Sequence, residues 1–262
     1  MMPEIVRPPR PRYHGGVGFK DHFSGMAAAY GRARPRYPPE LAAYLAGLVP
    51  RRTLALDLAT GNGQAAVDLA AHFELVLASD ASASQLAHAT AHPRVRYLRH
   101  GAERLPLAAG TVDLVAVAQA AHWFDFARFY PEAERVLRPG GVLALWTYGL
   151  FRVDAATDRL VDAFYRDVVG PYWPPERHYV DAGYRTLPFP LERLAAPRFA
   201  LTVDWSLGEL MDYIGTWSAV SRYRTALGAD PLPGLGRELA GGWATGVARP
   251  VRFDLHLLIG RV

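Results

Sequence analysis

Leu54-Ala55-Leu56-Asp57-Leu58-Ala59-Thr60-Gly61-Asn62-Gly63-Gln64 is a short apolar run that ends on an aspartate and breaks into closely spaced glycines. Residues 53–58 read as a buried strand, 59–63 as a tight loop and 64–71 as the helix that follows. Glycine lets a ligand lie close to the backbone and permits the dihedral angles that such a loop requires. A second apolar run, residues 74–79, ends at Asp80. A carboxylate at the tip of the neighbouring strand can accept hydrogen bonds from both hydroxyls of a ribose.

The same alternation extends outward. Leu41, Tyr44, Leu45 and Leu48 share one face of a helix over 39–48, which begins at prolines. Downstream, the pattern predicts a helix over 84–91, strands over 95–99 and 113–118, and a helix over 126–137. The turn Arg138-Pro139-Gly140-Gly141 then leads into a strand over 142–147. Strands alternating with helices imply βαβ units and a parallel sheet, and near-continuous apolar strands imply helices on both faces.

Beyond residue 150 the pattern changes. A helix is expected over 153–169, a loop rich in proline and aromatic residues over 170–190, and a strand over 198–205. Ser206-Leu207-Gly208-Glu209 has the form of a capping box, and Leu210, Met211 and Ile214 continue its helix. A weaker helix over 234–244 and a strand over 251–261 complete the chain. The last two strands are expected to pair antiparallel at one edge.

The 262 residues suit one α/β domain with a cap, and half of them are hydrophobic. The net charge is only +4, and nearly all the positive charge is arginine, Lys20 being the only lysine. The one basic run, Arg7 to Arg12, is interleaved with prolines, so no compact nucleic-acid patch is expected. The absence of cysteine excludes disulfides, thiolate catalysis and cysteine metal sites, and no metal is expected. No apolar run reaches the roughly 18 residues of a membrane span, and the first residues lack the apolar core of a signal peptide. The expectation is a cytoplasmic protein with a flexible tail over 1–17 and a single domain over 18–262.

Two ligands compete for the glycine loop. Gly61-x-Gly63-x-x-Ala66 satisfies a dinucleotide fingerprint, which alone is a weak signal. Asp57 argues against a pyrophosphate at that helix start, where positive potential is wanted. A carboxylate there suits a ligand carrying an ammonium group and no phosphate, as at the methionine end of S-adenosylmethionine.

At this level the chain resembles the class I S-adenosylmethionine-dependent methyltransferases, nearest to the trans-aconitate methyltransferase-like branch. The resemblance rests on five blocks in order. They are Phe23…Tyr30…Arg34-Pro35-x-Tyr37-Pro38, the loop 56–63, and Asp80-Ala81-Ser82-x-x-Gln85-Leu86. Gly101-Ala102-Glu103-x-Leu105-Pro106 follows, then Gln119-Ala-Ala-His122-Trp123-Phe124-Asp125 with Arg135-Val-Leu-Arg-Pro139-Gly140-Gly141. It implies an α/β fold, a Rossmann-like seven-stranded, mostly parallel sheet with helices on both faces, an antiparallel last strand and a helical and loop cap. The cofactor-binding core would occupy 18–150, with cap insertions at 151–197 and 206–245. S-adenosylmethionine would be held by Phe23, Tyr30, Arg34, Asp57, Ala59, Gly61, Gly63, Asp80, Ala81, Gln85, Ala102, Glu103 and Gln119. Ala59 departs from the pattern by replacing a glycine. Gly101 stands where relatives have an aspartate, which shifts adenine recognition toward Ala102, Glu103 and Gln85.

Several residues keep two readings. Asp57 also suits a loop-capping role, and Asp80 a helix start favoured by the dipole. His122 is either a general base beside the methyl group or a histidine packed under the lid. Trp123 is either core or an aromatic wall facing the sulfonium. Tyr172, Trp173, Trp217 and Tyr223 are packing residues or lid residues that touch the acceptor. Arg222 and Arg224 are solvated or hold a substrate carboxylate. The expected activity is methyl transfer to a small molecule, at a carboxylate or hydroxyl oxygen. An NAD-linked oxidoreductase and a catalytically inactive cofactor-binding subunit are the alternatives, and the oligomeric state stays open.

Overall fold

Strand β1 (Leu54–Leu58) lies in the middle of a parallel sheet, between β2 (Leu75–Asp80) and β4 (Val112–Ala118). The computed structural model describes residues 35–262. The expected tail over 1–17, and Phe23, Tyr30 and Arg34, lie outside the described residues. With β3 (Val95–Arg99), β5 (Leu137–Tyr148), β6 (Glu192–Arg193), β7 (Phe199–Trp205) and β8 (Arg249–Arg261), the sheet has eight strands. Their order is β3-β2-β1-β4-β5-β8-β6, and β7 also pairs with β8. Among the described residues, β8 alone runs against the other strands.

Side-chain alternation along the strands builds two cores. Ala55, Leu114, Ala116, Val142, Ala144 and Trp146 face α1 (Pro39–Leu48) and α2 (Gln64–Leu69). Leu56, Leu58, Val115, Val117, Leu143 and Leu145 face α4 (Phe126–Val136). Burial on both faces explains the unbroken apolar strands. Each buried leucine or valine contributes about 1.5–3 kcal/mol.

The remaining elements depart from the sequence pattern for identifiable reasons. Helix α3 (Ala83–Leu86) is shorter than the expected 84–91, because the chain turns back so that Thr90 N donates to Asn62 O. The turn at residues 138–141 is absorbed into β5 as an irregularity, with Val112 opposite Leu137 and Leu114 opposite Val142. Gly140 adopts φ 80° there. The expected 153–169 helix is α5 (Ala155–Ala163), capped by the Asp154 carboxylate, followed by a widened turn over Phe164–Val168.

Within the expected 170–190 loop lies the short helix α6 (Arg177–Asp181), too brief to show a periodicity. The Ser206–Glu209 capping box opens α7 (Leu207–Gly215), and a separate helix α8 (Ser218–Leu227) follows. Helix α9 (Leu232–Ala240) packs against α5 and α7. The last two strands do pair antiparallel, but β8 is interior, bonded to β5 on one side and to β6 and β7 on the other. The two-residue β6 makes eight strands of the expected seven.

Candidate active site

The sheet order reverses at β1, whose neighbours β2 and β4 lead in opposite directions. In open α/β sheets, ligands bind outside the carboxyl ends of strands at such a point. The glycine loop lies there. Ala59, Gly61 and Gly63 all take left-handed conformations, with φ of 52°, 59° and 86°. Gly63 has a second constraint, since a Cβ on it would meet Tyr97 Oη at 2.1 Å.

Asp80 joins the loop to the second strand. Its Oδ2 accepts from Gly61 N at 2.9 Å, and its Oδ1 accepts from Ser82 N at 2.8 Å. Gln85 N donates to the Ser82 hydroxyl, which caps α3 and brings the buried Gln85 side chain toward Gly61. Ala81 follows Asp80 directly, and its carbonyl accepts from Arg99 Nε at 3.3 Å.

Asp57 is fully buried. Its Oδ2 accepts from the Thr60 hydroxyl at 2.5 Å. Burial pushes its carboxyl up to about 7, with the negative charges of Asp80 and Asp68 adding to the effect and the Thr60 and Ala66 hydrogen bonds opposing it. Asp57 Oδ1 and Gln85 Oε1 are buried without a hydrogen-bond partner among the described residues. Buried polar atoms are rarely left unpaired, so two orphaned acceptors beside a glycine cradle fit a ligand bearing donors. An ammonium, ribose hydroxyls and an adenine amino group are such donors, so these residues fit S-adenosylmethionine.

Ala102 is buried, and Glu103 Oε1 accepts from Asp125 N at 3.4 Å, linking the 101–106 loop to the start of α4. Gln119 stands in a left-handed conformation just past β4. Its amide is engaged by β5, accepting from Thr147 Oγ1 at 2.7 Å and donating to Tyr148 O at 3.4 Å. The structure thus ties the Gln119 side chain into the sheet.

His122 sits in a single helical turn, Ala121–Trp123, that follows. It is buried, and its ring lies 4.7 Å from that of half-buried Trp123. Burial, with a smaller contribution from the Arg177 charge, lowers its imidazole to about 3. Its Nδ1 is 2.9 Å from Tyr184 Oη. Burial raises the Tyr184 phenol, with Thr147 and the backbone of His122 and Ala121 acting in the opposite direction. Two pairs, Gln119 with Thr147 and Tyr184 with His122, thus stand at the carboxyl end of the sheet. Tyr184 has φ 58°, and neither it nor Thr147 carries any motif by which the sequence singles it out. Thr60, three residues after Asp57, was legible in principle as a local side-chain partner.

The cap residues form an aromatic cluster. Trp217 is almost completely buried and packs on Tyr165 at 5.6 Å and Trp173 at 5.7 Å between ring centres. Tyr172 meets Tyr223 edge-on at 5.0 Å. Arg224 pairs with Asp230 at 3.0 Å, whereas Arg222 lies half-buried on α8. Helix α6 packs directly against the turn that carries His122.

The sequence profile of the methyltransferase domain family matches residues 56–145, the stretch from β1 to β5. A Dictyostelium discoideum protein named as a methyltransferase is 34% identical over 251 residues, covering 93% of this chain and 95% of that one. Uncharacterised methyltransferases of Mycobacterium tuberculosis are 43% identical over 124 residues, covering 47% of this chain and 50% of theirs. A solved structure from Anaeromyxobacter dehalogenans, described as a type II methyltransferase, is 44% identical. It superposes with a TM-score of 0.81, covering 87% of this chain and 97% of its own.

Proposed function

Because this chain belongs to the class I S-adenosylmethionine-dependent methyltransferases, we propose that its acceptor is a small molecule methylated at oxygen, a carboxylate or a hydroxyl. The observation that carries this reading is the packing of α6 over the His122 turn. In this reading the acceptor reaches the strand tips under a cap that the chain itself supplies, which suits a small molecule better than a polymer strand. Residues 151–197 and 206–245 serve as the cap, over a cofactor-binding core within 18–150.

S-adenosylmethionine, when bound, supplies a methyl carbon already activated by its sulfonium. Asp80 would hold the ribose, and Asp57 would favour the ligand's positive end. Gly61, Gly63 and Ala59 would allow close backbone approach, while Ala81, Gln85, Ala102 and Glu103 would line the adenine side. Gln119 contributes by fixing the tip of β4 against β5. The chain's own contribution is then mainly orientation and exclusion of water, which supply about 7–11 kcal/mol in well-aligned reactions.

His122 is neutral at pH 7, and Nε2 is its ring nitrogen without a hydrogen bond among the described residues. It can accept a hydrogen bond from an acceptor hydroxyl, with Trp123 as the adjoining wall. A nitrogen with a pKa of about 3 is a weak base at pH 7, which favours a carboxylate acceptor that has no proton to lose. Thermal shift with S-adenosylmethionine, S-adenosylhomocysteine and NAD tests the cofactor. The first two should raise Tm and NAD should not. Asp80→Ala should weaken S-adenosylhomocysteine binding by about 100-fold in calorimetry, the loss of two charge-assisted hydrogen bonds. Methylation of a panel of carboxylic acids and alcohols, followed by mass spectrometry, tests the acceptor. Turnover with nucleic acid or protein alone would refute the small-molecule reading.

A further inference from the structure

Arg177 is held by its surroundings in an unusual way for a surface-helix residue. Its guanidinium lies 4.3 Å from the centre of the Trp173 ring and 5.3 Å from that of Tyr165. Its Nε donates to Tyr165 Oη at 2.7 Å and to Asp181 Oδ1 at 3.0 Å. The side chain is only 20% exposed. Both contacts of the guanidinium with oxygen thus use Nε, and its two terminal nitrogens make no hydrogen bond among the described residues. Those nitrogens form the planar fork that matches a carboxylate or phosphate.

Beside the fork stands a second unused donor. The Trp173 indole N–H is buried and has no acceptor among the described residues. A buried donor without a partner is costly, and an incoming acceptor removes the cost. Helix α6, which carries Arg177, packs on the turn that carries His122. The Arg177 charge contributes, after burial, to keeping the His122 imidazole uncharged, so the two groups share one environment. An i,i+4 ion pair with half-exposed Asp181 would by itself contribute little, and it explains neither the two ring faces nor the free fork.

We infer that Arg177 and Trp173 form an acceptor-binding subsite for an anionic oxygen group, a carboxylate or a phosphate, beside His122. The inference rests on the proposed methyl transfer to a small molecule and assigns that molecule a negative charge. Tyr165 and Trp173 position the guanidinium, and Asp181 fixes its Nε edge so that the fork points away from it. Arg177 selects the acceptor by charge, whereas Asp80 and Asp57 select the cofactor.

The test uses the full chain saturated with S-adenosylhomocysteine and follows its tryptophan fluorescence. Benzoate, inorganic phosphate and the neutral isostere benzamide are titrated in turn. A saturable response to benzoate, to phosphate or to both, with none to benzamide, is expected, and the responding anion identifies the group. Arg177→Met keeps the stacked aliphatic stem and should raise the anion Kd by about tenfold or more. Arg177→Lys should recover part of that loss, because it restores charge without the fork. Trp173→Phe, which keeps a ring and removes the N–H, should also weaken the anion.

Wild-type protein that binds S-adenosylhomocysteine but responds to neither anion overturns the subsite. So does an Arg177→Met variant with unchanged anion affinity. Failure of S-adenosylhomocysteine to bind the wild type instead strikes the methyltransferase reading, and titration of the free chain then still reports on Arg177.

Discussion

Tyr184 Oη lies 2.9 Å from His122 Nδ1, and both side chains are buried at the carboxyl end of the sheet. The contact leaves Nε2, the nitrogen proposed to face the acceptor, without a hydrogen bond among the described residues. Tyr184→Phe removes the hydroxyl and leaves Nδ1 unpaired, which should cost about 1–3 kcal/mol in denaturant unfolding. Turnover should fall while S-adenosylhomocysteine affinity stays unchanged in calorimetry, because Tyr184 acts through His122. Parallel losses in turnover and cofactor affinity would contradict that division.

The two buried titratable groups oppose each other with pH. Folded His122 has a pKa of about 3, against 6.5 for the free imidazole, so the unfolded chain binds the proton more readily. Its contribution is complete above 6.5 and is lost as pH falls toward about 3. Asp57 has the reverse sign, raised from 3.8 to about 7, so its contribution is complete below 3.8 and is lost as pH rises through about 7. The stability lost in His122→Asn relative to wild type should therefore grow between about pH 4 and 6.5 and then level off. Urea titrations across that range measure it, and a difference that does not vary with pH would count against a buried neutral imidazole.

Asp57 also predicts a proton exchange on binding. A carboxyl near pKa 7 is partly protonated at neutral pH, and a cationic ligand lowers it. S-adenosylmethionine binding near pH 7 should release a fraction of a proton, visible as a buffer-dependent calorimetric enthalpy. Asp57→Asn should abolish the dependence on buffer.

The glycine loop supports a paired prediction. Ala59 holds φ 52° with a side chain that disfavours it by about 1–2 kcal/mol. Ala59→Gly relieves that strain and loosens the unfolded chain, for a net gain of up to about 1 kcal/mol. Gly63→Ala adds strain at φ 86° and places a methyl on Tyr97, so it should destabilise the fold and weaken cofactor binding. Thermal unfolding with and without S-adenosylhomocysteine distinguishes the two variants.

The half of the chain up to Tyr148 was legible because its physics is local. Apolar runs such as 54–58 and 112–118 alternate across two cores, and Asp57, Asp80 and the glycines stand at strand tips where turns demand them. The cap was harder to read. Helix α6 has only five residues, and the break between α7 and α8 falls at Thr216-Trp217, where Gly215 alone precedes it and no proline marks it. Tyr184 and Arg177 gain their partners from residues far away in sequence, and no spacing rule reports such contacts. Gln119 was found by position, yet its side chain serves β5, a distinction that only the hydrogen bonds reveal.

The interior place of β8 governs how the sheet is assembled. Among the described residues, strands β6 and β7 have no bonded neighbour other than β8, and the outer ladder of β5 is completed by it. During synthesis the ribosome delivers both flanks before the strand that joins them. Until β8 emerges, the long apolar border of β5 is an open template for foreign strands. Nascent chains halted before residue 249 are therefore the species most in need of chaperone protection.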